Sequence, residues 1–430
     1  MHTICIDFGT SSLRAALLKQ RSLDAKPLPI APDAQIDNAS IPSAIFVSKD
    51  RGMIRFGDKA LEAGLSGQPS LLFERSPKAW LSPTEVQNLG QEAGAGVAFS
   101  RRELLTGLLA VAVQASTQAA GTLGVERKRV RYRISHPVWL ATEKAQMLSA
   151  YGTLHRIACN PKTPPMRFEQ TTEAFRHWCD NAAPDDGVLS QDWHVDEPIA
   201  AALDLLPDPP SNKRNAALIV DVGAGTIDLG LFISVVPDDA SRHRRKLIRM
   251  CEPRSLFGAG DVIDRALVDL IVRRLGTDQH KDLARLKNDI RRNKEQLFET
   301  GQLAFASVVV TRDELVATGP LKRMADKLRE ALQQMYDFAG AHFWTAFDTY
   351  GHPIRDLDVV FAGGGAKLDF LRATIEPVVN MGTAKVIAVS SSIPEPEDFG
   401  VDASRSRMAV ALGGTTPTKY WPITELTSST

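Results

Sequence analysis

Ile6-Asp7-Phe8-Gly9-Thr10-Ser11-Ser12 and Val220-Asp221-Val222-Gly223-Ala224-Gly225-Thr226-Ile227-Asp228 are the two stretches on which the reading of this chain turns. Each closes an apolar run with an aspartate, passes through small residues and a hydroxyl, and enters a second apolar run. The pattern predicts strands at Ile4–Phe8 and Leu13–Leu18 joined by Gly9-Thr10-Ser11-Ser12. It predicts a second pair at Ala217–Val222 and Ile227–Ile233 joined by Gly223-Ala224-Gly225-Thr226. One such unit alone reads as a glycine-containing hairpin with a solvated aspartate. Two in matching register, half a chain apart, predict a duplicated core of two lobes with similar build.

Working outward, helical spacing fills the intervals. Ser100-Arg101-Arg102-Glu103 has the layout of a capping box ahead of an apolar run that ends before Gly121. Thr142 is placed to cap Glu143–Tyr151, with Gly152 as a stop. Further helices are predicted at Asp261–Leu275, Leu283–Phe298, Leu321–Phe347 and Leu368–Val379, and a strand at Leu357–Ala362 runs into Gly363-Gly364-Gly365. Strands alternating with helices predict an α/β fold. The stretch bracketed by Pro161–Pro165 and Ala182–Gly187 reads as a surface excursion. The alternating charges of Glu126–Arg133 read as an edge strand with its charges in water.

Composition narrows the function classes. The 430 residues carry 51 Lys+Arg against 51 Asp+Glu, a balance with no strong pull toward nucleic acid or an anionic membrane. Hydrophobic residues make up 43% and charged residues 24%, as in a globular protein with a sizeable core. Cys5, Cys159, Cys179 and Cys251 show no metal or disulfide spacing and read as buried thiols in a reducing compartment. The apolar run Leu104–Val113 falls short of the ~20 residues of a membrane span, and the N-terminus lacks the layout of a signal peptide. The expectation is a cytoplasmic protein. Arg242–Lys246 reads as a solvated basic loop. Trp178 and Trp193 read as core residues, and His177, Cys179 and His194 as ordinary packing.

The two turns carry the chemistry. Glycines let the backbone approach a polyphosphate, and successive amides in a tight turn form an anion-binding concavity. Gly9, Thr10, Ser11, Gly223, Ala224, Gly225 and Thr226 are the candidates. Asp7 and Asp221, with Asp228 beyond Thr226, are suited to the water shell of Mg²⁺, which needs only one or two carboxylates. No GxxxxGK[ST] motif is present, which excludes a P-loop. A strand follows Gly223-Ala224-Gly225 where a dinucleotide fingerprint needs a helix.

Both turns resemble the phosphate loops of the actin-like ATPase superfamily, and within it the nucleotide-binding domain of the seventy-kilodalton heat-shock chaperones of the DnaK type. Ile41-Pro42-Ser43, Phe56-Gly57-Asp58-Lys59-Ala60, Glu197-Pro198-Ile199-Ala200-Ala201-Ala202, Phe257-Gly258-Ala259-Gly260-Asp261 and Ala362-Gly363-Gly364-Gly365 are similar to further family segments in the same order. The resemblance implies an actin-like fold with a ribonuclease-H-like core in each lobe and nucleotide in the cleft between them. Lobe I would be 1–203, with its core in 1–38 and 112–203 and a small subdomain over 39–111. Lobe II would be 204–415, with its core in 204–249 and 330–415 and a small subdomain over 250–329, leaving 416–430 as a tail. It implies ATP and Mg²⁺ as ligands and slow ATP hydrolysis. Lys78 would reach the γ-phosphate, Glu197 and Asp221 would position the attacking water, and Gly258, Lys294 and Gly363-Gly364-Gly365 would line the nucleotide. The output would pass to a partner or client protein.

The chain departs from the family in its nucleoside pocket, in the stretch between His136-Pro137 and Glu197, which is longer than the family's by roughly thirty residues, and at its end. Its nucleoside helix carries Arg291, Lys294, Glu295 and Phe298, of which the lysine alone matches, and the adenosine loop continues Ala366-Lys367-Leu368-Asp369. Only Thr415–Thr430 follows Gly414, so no peptide-binding domain is present in this sequence, which resembles the stand-alone, YegD-like members. Three other functions compete: a filament-forming actin-like ATPase, a carbohydrate kinase with a similar first loop, and a non-hydrolysing nucleotide-binding scaffold.

Overall fold

A computed structural model describes the chain apart from residues 23, 32–37, 183, 185–188, 191, 207–213, 236–245, 277–281, 349–355, 383, 391–403 and 423–430. Arg242–Arg245 of the basic run, the neighbouring Asp238-Asp239, most of Ala182–Gly187 and the end of the tail lie outside the described residues. The fold is α/β, and its contacts group the chain into two compact units. One is mainly Met1–Asp208 with Ser392–Ile423; the other is mainly Pro209–Asp238 with Ile248–Ser391.

In the first unit, strands His194–Asp196, Val130–His136, His2–Phe8, Ser12–Leu18 and Ala25–Pro27 lie side by side in that order, with Ser40–Pro42 also on Ser12–Leu18. The first three run parallel, and His2–Phe8 pairs antiparallel with Ser12–Leu18. In the second unit, Arg214–Val222 pairs antiparallel with Thr226–Val235 and parallel with Asp356–Ala362, which is parallel in turn to Ala384–Ser390. Each unit is therefore built on an antiparallel hairpin whose first strand has a parallel neighbour on its other side. The aspartates share a register position: Asp7 faces Arg14, and Asp221 faces Asp228. These strands are apolar nearly throughout because both faces are covered, so His2–Phe8 is buried from Thr3 to Phe8 and Ser12–Leu18 along its whole length.

Helix Arg101–Thr122 starts with the predicted capping box: Ser100 Oγ accepts from the Glu103 amide and the Glu103 carboxylate accepts from the Ser100 amide at 2.6 Å. It is long and apolar enough to cross a membrane, but 72% of its most apolar window is buried inside the protein. Several expectations need correction. Helix Ala141–Ala158 begins after Leu140 without a Thr142 cap and runs through Gly152, against which Leu189 packs tightly. Leu283–Phe298 is two helices, Leu283–Asn288 and Ile290–Thr300, that meet at Asp289. Leu368–Val379 holds only one helical turn, Asp369–Arg372, because Pro377 precedes a strand, Val378–Met381.

The surface excursion is in fact structural. Glu169–Thr171 adds a strand to the sheet of Ile45–Ser48, Met53–Phe56 and Ser70–Glu74, and helix Thr172–Asn181 drives Phe175 and Trp178 into the core. Trp193 is also buried, whereas His177 is exposed rather than packed. Of the four free cysteines, Cys5 and Cys251 are buried and Cys159 and Cys179 only partly so.

The largest correction concerns Glu126–Arg133. Val130–His136 is an inner strand, and Arg133 is completely buried on it. Its guanidinium donates to the Asp192 carbonyl at 2.8 Å, the Thr416 carbonyl at 2.9 Å and the Gly414 carbonyl, and lies 4.8 Å from the Trp421 ring centroid. A cation thus satisfies carbonyls at the end of helix Arg405–Gly414, where the helix dipole favours positive charge. Arg133→Met keeps apolar volume but orphans these acceptors. We expect it to lower unfolding stability by about 2–4 kcal/mol in urea titration, whereas a loss below about 0.5 kcal/mol would show the contacts to be incidental.

Candidate active site

Within the first unit, three parallel strands deliver polar groups at their carboxyl ends, the edge at which α/β sheets bind ligands. His2–Phe8 brings Asp7, Val130–His136 brings Ser135 and His136, and His194–Asp196 leads directly into helix Glu197–Leu205. Glu197 occupies the first turn of that helix, where a negative charge is favoured. Pro77–Leu81 forms a short helical turn that sinks Trp80 and Leu81 into the core and carries Lys78 with them. Lys78 Nζ donates to Glu197 Oε1 at 2.8 Å, and both side chains are less than a tenth exposed.

Ser135 Oγ lies 3.1 Å from Asp7 Oδ1 and 3.5 Å from Glu197 Oε1, and Arg14 stands 3.8 Å from Asp7 Oδ2. Burial raises the Asp7 pKa to about 6, and the like charge of Glu197 adds to the rise against the opposing pull of Arg14, Lys78 and Ser135. Burial works against the Lys78 ammonium, yet the Glu197 carboxylate leads the groups that hold its pKa above the ordinary lysine value. The structure therefore brings Asp7, Lys78 and Glu197 together. Sequence reading gave no role to Ser135, because a lone serine in an apolar strand carries no pattern.

The first turn, Gly9-Thr10-Ser11-Ser12, is fastened from behind by Ser43, whose hydroxyl donates to the Gly9 carbonyl at 2.7 Å and whose amide donates to the Ser11 carbonyl at 3.0 Å. A side chain at Gly9 would strike the Ser12 carbonyl. In the second unit, the amides of Gly258, Gly260 and Asp261 hold the carbonyls of Gly225, Gly223 and Ala224 at 2.7, 3.3 and 2.8 Å. C=O and N–H point in opposite directions across a planar trans peptide, so pinning the carbonyls turns the following amides the other way. Both turns thus have carbonyls held back, an arrangement compatible with an anion-binding nest, with Gly9 in the first and Gly223-Ala224-Gly225 in the second.

Asp221 ends its strand beside Gly363, whose φ of +78° and missing side chain keep the space next to the Asp221 carboxylate open. Thr226 donates to Asp228 at 2.6 Å and Ser255 donates to the same carboxylate, so Asp228, at 1% exposure, braces the turn. Lys294 pairs with Asp264 at 2.7 Å and donates to the Gly260 carbonyl at 3.4 Å. Gly364 is exposed, and Gly365 packs on Val222. Among the described residues no three His, Cys, Asp or Glu side chains converge. Within its own unit, each of Asp7 and Asp221 is a single carboxylate of the kind that suits a cation keeping most of its water, as Mg²⁺ does, and each pinned turn is suited to phosphate oxygens. No protein-family model matches this chain.

Behind the acids, His136 is completely buried and stacked on Trp139 at a centroid distance of 4.3 Å. Its Nδ1 meets the Pro137 carbonyl at 2.8 Å, which leaves Nε2 to accept from His194 Nδ1 at 2.8 Å. Burial lowers the pKa of His136 to about 3 and that of His194 to about 4, both from 6.5. A histidine with a lowered folded pKa binds protons more readily when unfolded, so its contribution is intact above about pH 6.5 and is lost as pH falls toward 4. Asp7, raised from 3.8 to about 6, has the opposite sign and gives stability that is lost as pH rises through that window. The difference between wild type and His136→Gln isolates the histidine. Urea midpoints at pH 7.5 and 5 are expected to fall more in wild type than in the variant, and equal falls would contradict the assignment.

Proposed function

We propose that the protein binds Mg²⁺·ATP and hydrolyses it slowly, as a chaperone-like ATPase of the actin-like fold whose nucleotide state is read by a partner protein. What carries the reading is the buried group of Lys78, Glu197 and Asp7 at the carboxyl ends of parallel strands, directly beside a turn whose carbonyls are pinned back. The same strand, turn and aspartate recur in the second unit. When bound, Mg²⁺·ATP supplies the phosphoanhydride bond and a cation that offsets its charge.

The chain's own residues supply the rest. The turns at 9–12 and 223–226 take phosphate oxygens on their amide edges. Lys78, a buried and permanently charged ammonium, offsets charge that develops on the transferred phosphoryl group. Glu197 orients the attacking water and takes up its proton. Asp7 would hold part of the water shell of the cation, and Asp221 is the carboxylate of the same kind in the second unit. Phosphoryl transfer to water consists mostly of positioning and electrostatics, so no covalent intermediate is required.

Phosphate release from Mg²⁺·ATP by wild type and Glu197→Gln tests the proposal. We expect slow wild-type turnover that falls at least ~100-fold in the variant, the scale of losing a positioned base, with ATP affinity kept within about threefold. Tight binding without turnover in wild type would leave a nucleotide-dependent scaffold, and absence of binding would end the reading altogether. ATP-dependent sedimentation of the pure protein would favour a filament-forming ATPase instead.

A further inference from the structure

We infer that Ser135 is the positioning residue of the acid cluster and holds the Asp7 and Glu197 carboxylates in a common orientation. The inference rests on the hydrolytic reading above and assigns a role to a residue outside the two turns and the segments around them. Its basis is placement. Ser135 is completely buried on the strand Val130–His136, which lies between the two strands that end at Asp7 and lead into Glu197. Ile134 is in register with Ile6, and Ser135 with Val195, so the backbone on both sides of the hydroxyl is fixed by sheet hydrogen bonds.

A serine hydroxyl has one proton to donate. Here it stands within 3.1 Å of Asp7 Oδ1 and 3.5 Å of Glu197 Oε1, the first distance bonded and the second at the outer limit. Glu197 Oε1 is also the atom that accepts from Lys78 at 2.8 Å. The two carboxylates therefore share one neutral donor and compete for it, while the lysine satisfies the glutamate. If Lys78 is drawn to a terminal phosphate, Glu197 Oε1 gives up that 2.8 Å bond. Ser135 is already beside the same oxygen and keeps the carboxylate aimed. The serine thus acts through Glu197 and Asp7, without touching the nucleotide.

Steady-state phosphate release, ATP affinity and thermal melting should be measured for wild type, Ser135→Ala and Ser135→Thr. We expect Ser135→Ala to lower kcat about tenfold with ATP affinity within about threefold. The acidic limb of its kcat–pH profile should move to higher pH, because a carboxylate that loses a donor protonates more easily. Ser135→Thr, which keeps the hydroxyl, should return kcat to within about threefold of wild type. The inference is overturned if Ser135→Ala keeps the wild-type kcat and pH limb, or if both variants lose kcat and melting temperature together, as a packing role would require. Wild type that binds ATP without releasing phosphate would instead overturn the hydrolytic reading, and the role of Ser135 would fall with it.

Discussion

The buried ion pair of Lys78 and Glu197 is the interaction on which the first unit is arranged. Removing two charges from water costs several kcal/mol per ion, and mutual attraction compensates only when geometry and further hydrogen bonds are good. The surroundings meet that demand. Glu197 lies at the N-terminal turn of its helix, where backbone amides and the helix dipole favour a carboxylate. Lys78 is anchored by the buried Pro77 before it and the buried Trp80 and Leu81 after it, and Arg101 at the start of the long helix lies over the Trp80 ring. The helix that carries Glu197 is held in place by Arg405–Gly414: a side chain at Gly413 would collide with the Ala200 carbonyl, and Arg405 pairs with Asp204 at 3.1 Å. Such an expensive pair is poor evidence for stability by itself. Its position at strand ends that also present Asp7 and Ser135 gives it a chemical purpose.

The two units solve one problem with different means. Each holds a tight backbone turn with a carboxylate close by. In the first unit a single serine, Ser43, pins the carbonyls of the turn. In the second, three amides at the start of helix Gly260–Leu275 do so. Across the hairpin from the aspartate, the first unit has Arg14, a cation that partly neutralises Asp7. The second has Asp228, whose charge is absorbed by Thr226 and Ser255. Repeated backbone with divergent side chains is what a duplicated core would leave once each copy had adapted to its own neighbours.

Much of this organisation was legible in the chain. The strand–turn–strand pattern around Asp7 and Asp221 and the capping box at Ser100 are local signals whose physics lies within a few residues. Arg133 was not legible, because an arginine among Arg129, Arg131 and Arg133 has the alternation of a solvated edge. Only its register beside His2–Phe8 and the carbonyls of Gly414 and Thr416, almost 300 residues away, explain its burial. Ser135 and the His136–His194 pair were hidden for the same reason: their partners arrive through sheet order. Gly152 misled because a helix interior tolerates glycine, here where Leu189 packs tightly against the position. Phe175 and Trp178 show the converse, since the polar residues around them hid a helix that packs into the core.

The central claim is that this acid and lysine cluster, with its pinned turn, is a site for Mg²⁺·triphosphate. The most direct test is a crystal structure with Mg²⁺ and a non-hydrolysable ATP analogue. The account predicts phosphate oxygens on the amide edge of 9–12, a hydrated cation near Asp7, and Lys78 Nζ moved from Glu197 to the terminal phosphate. An intact Lys78–Glu197 pair at 2.8 Å, with the analogue bound elsewhere or not at all, would contradict it.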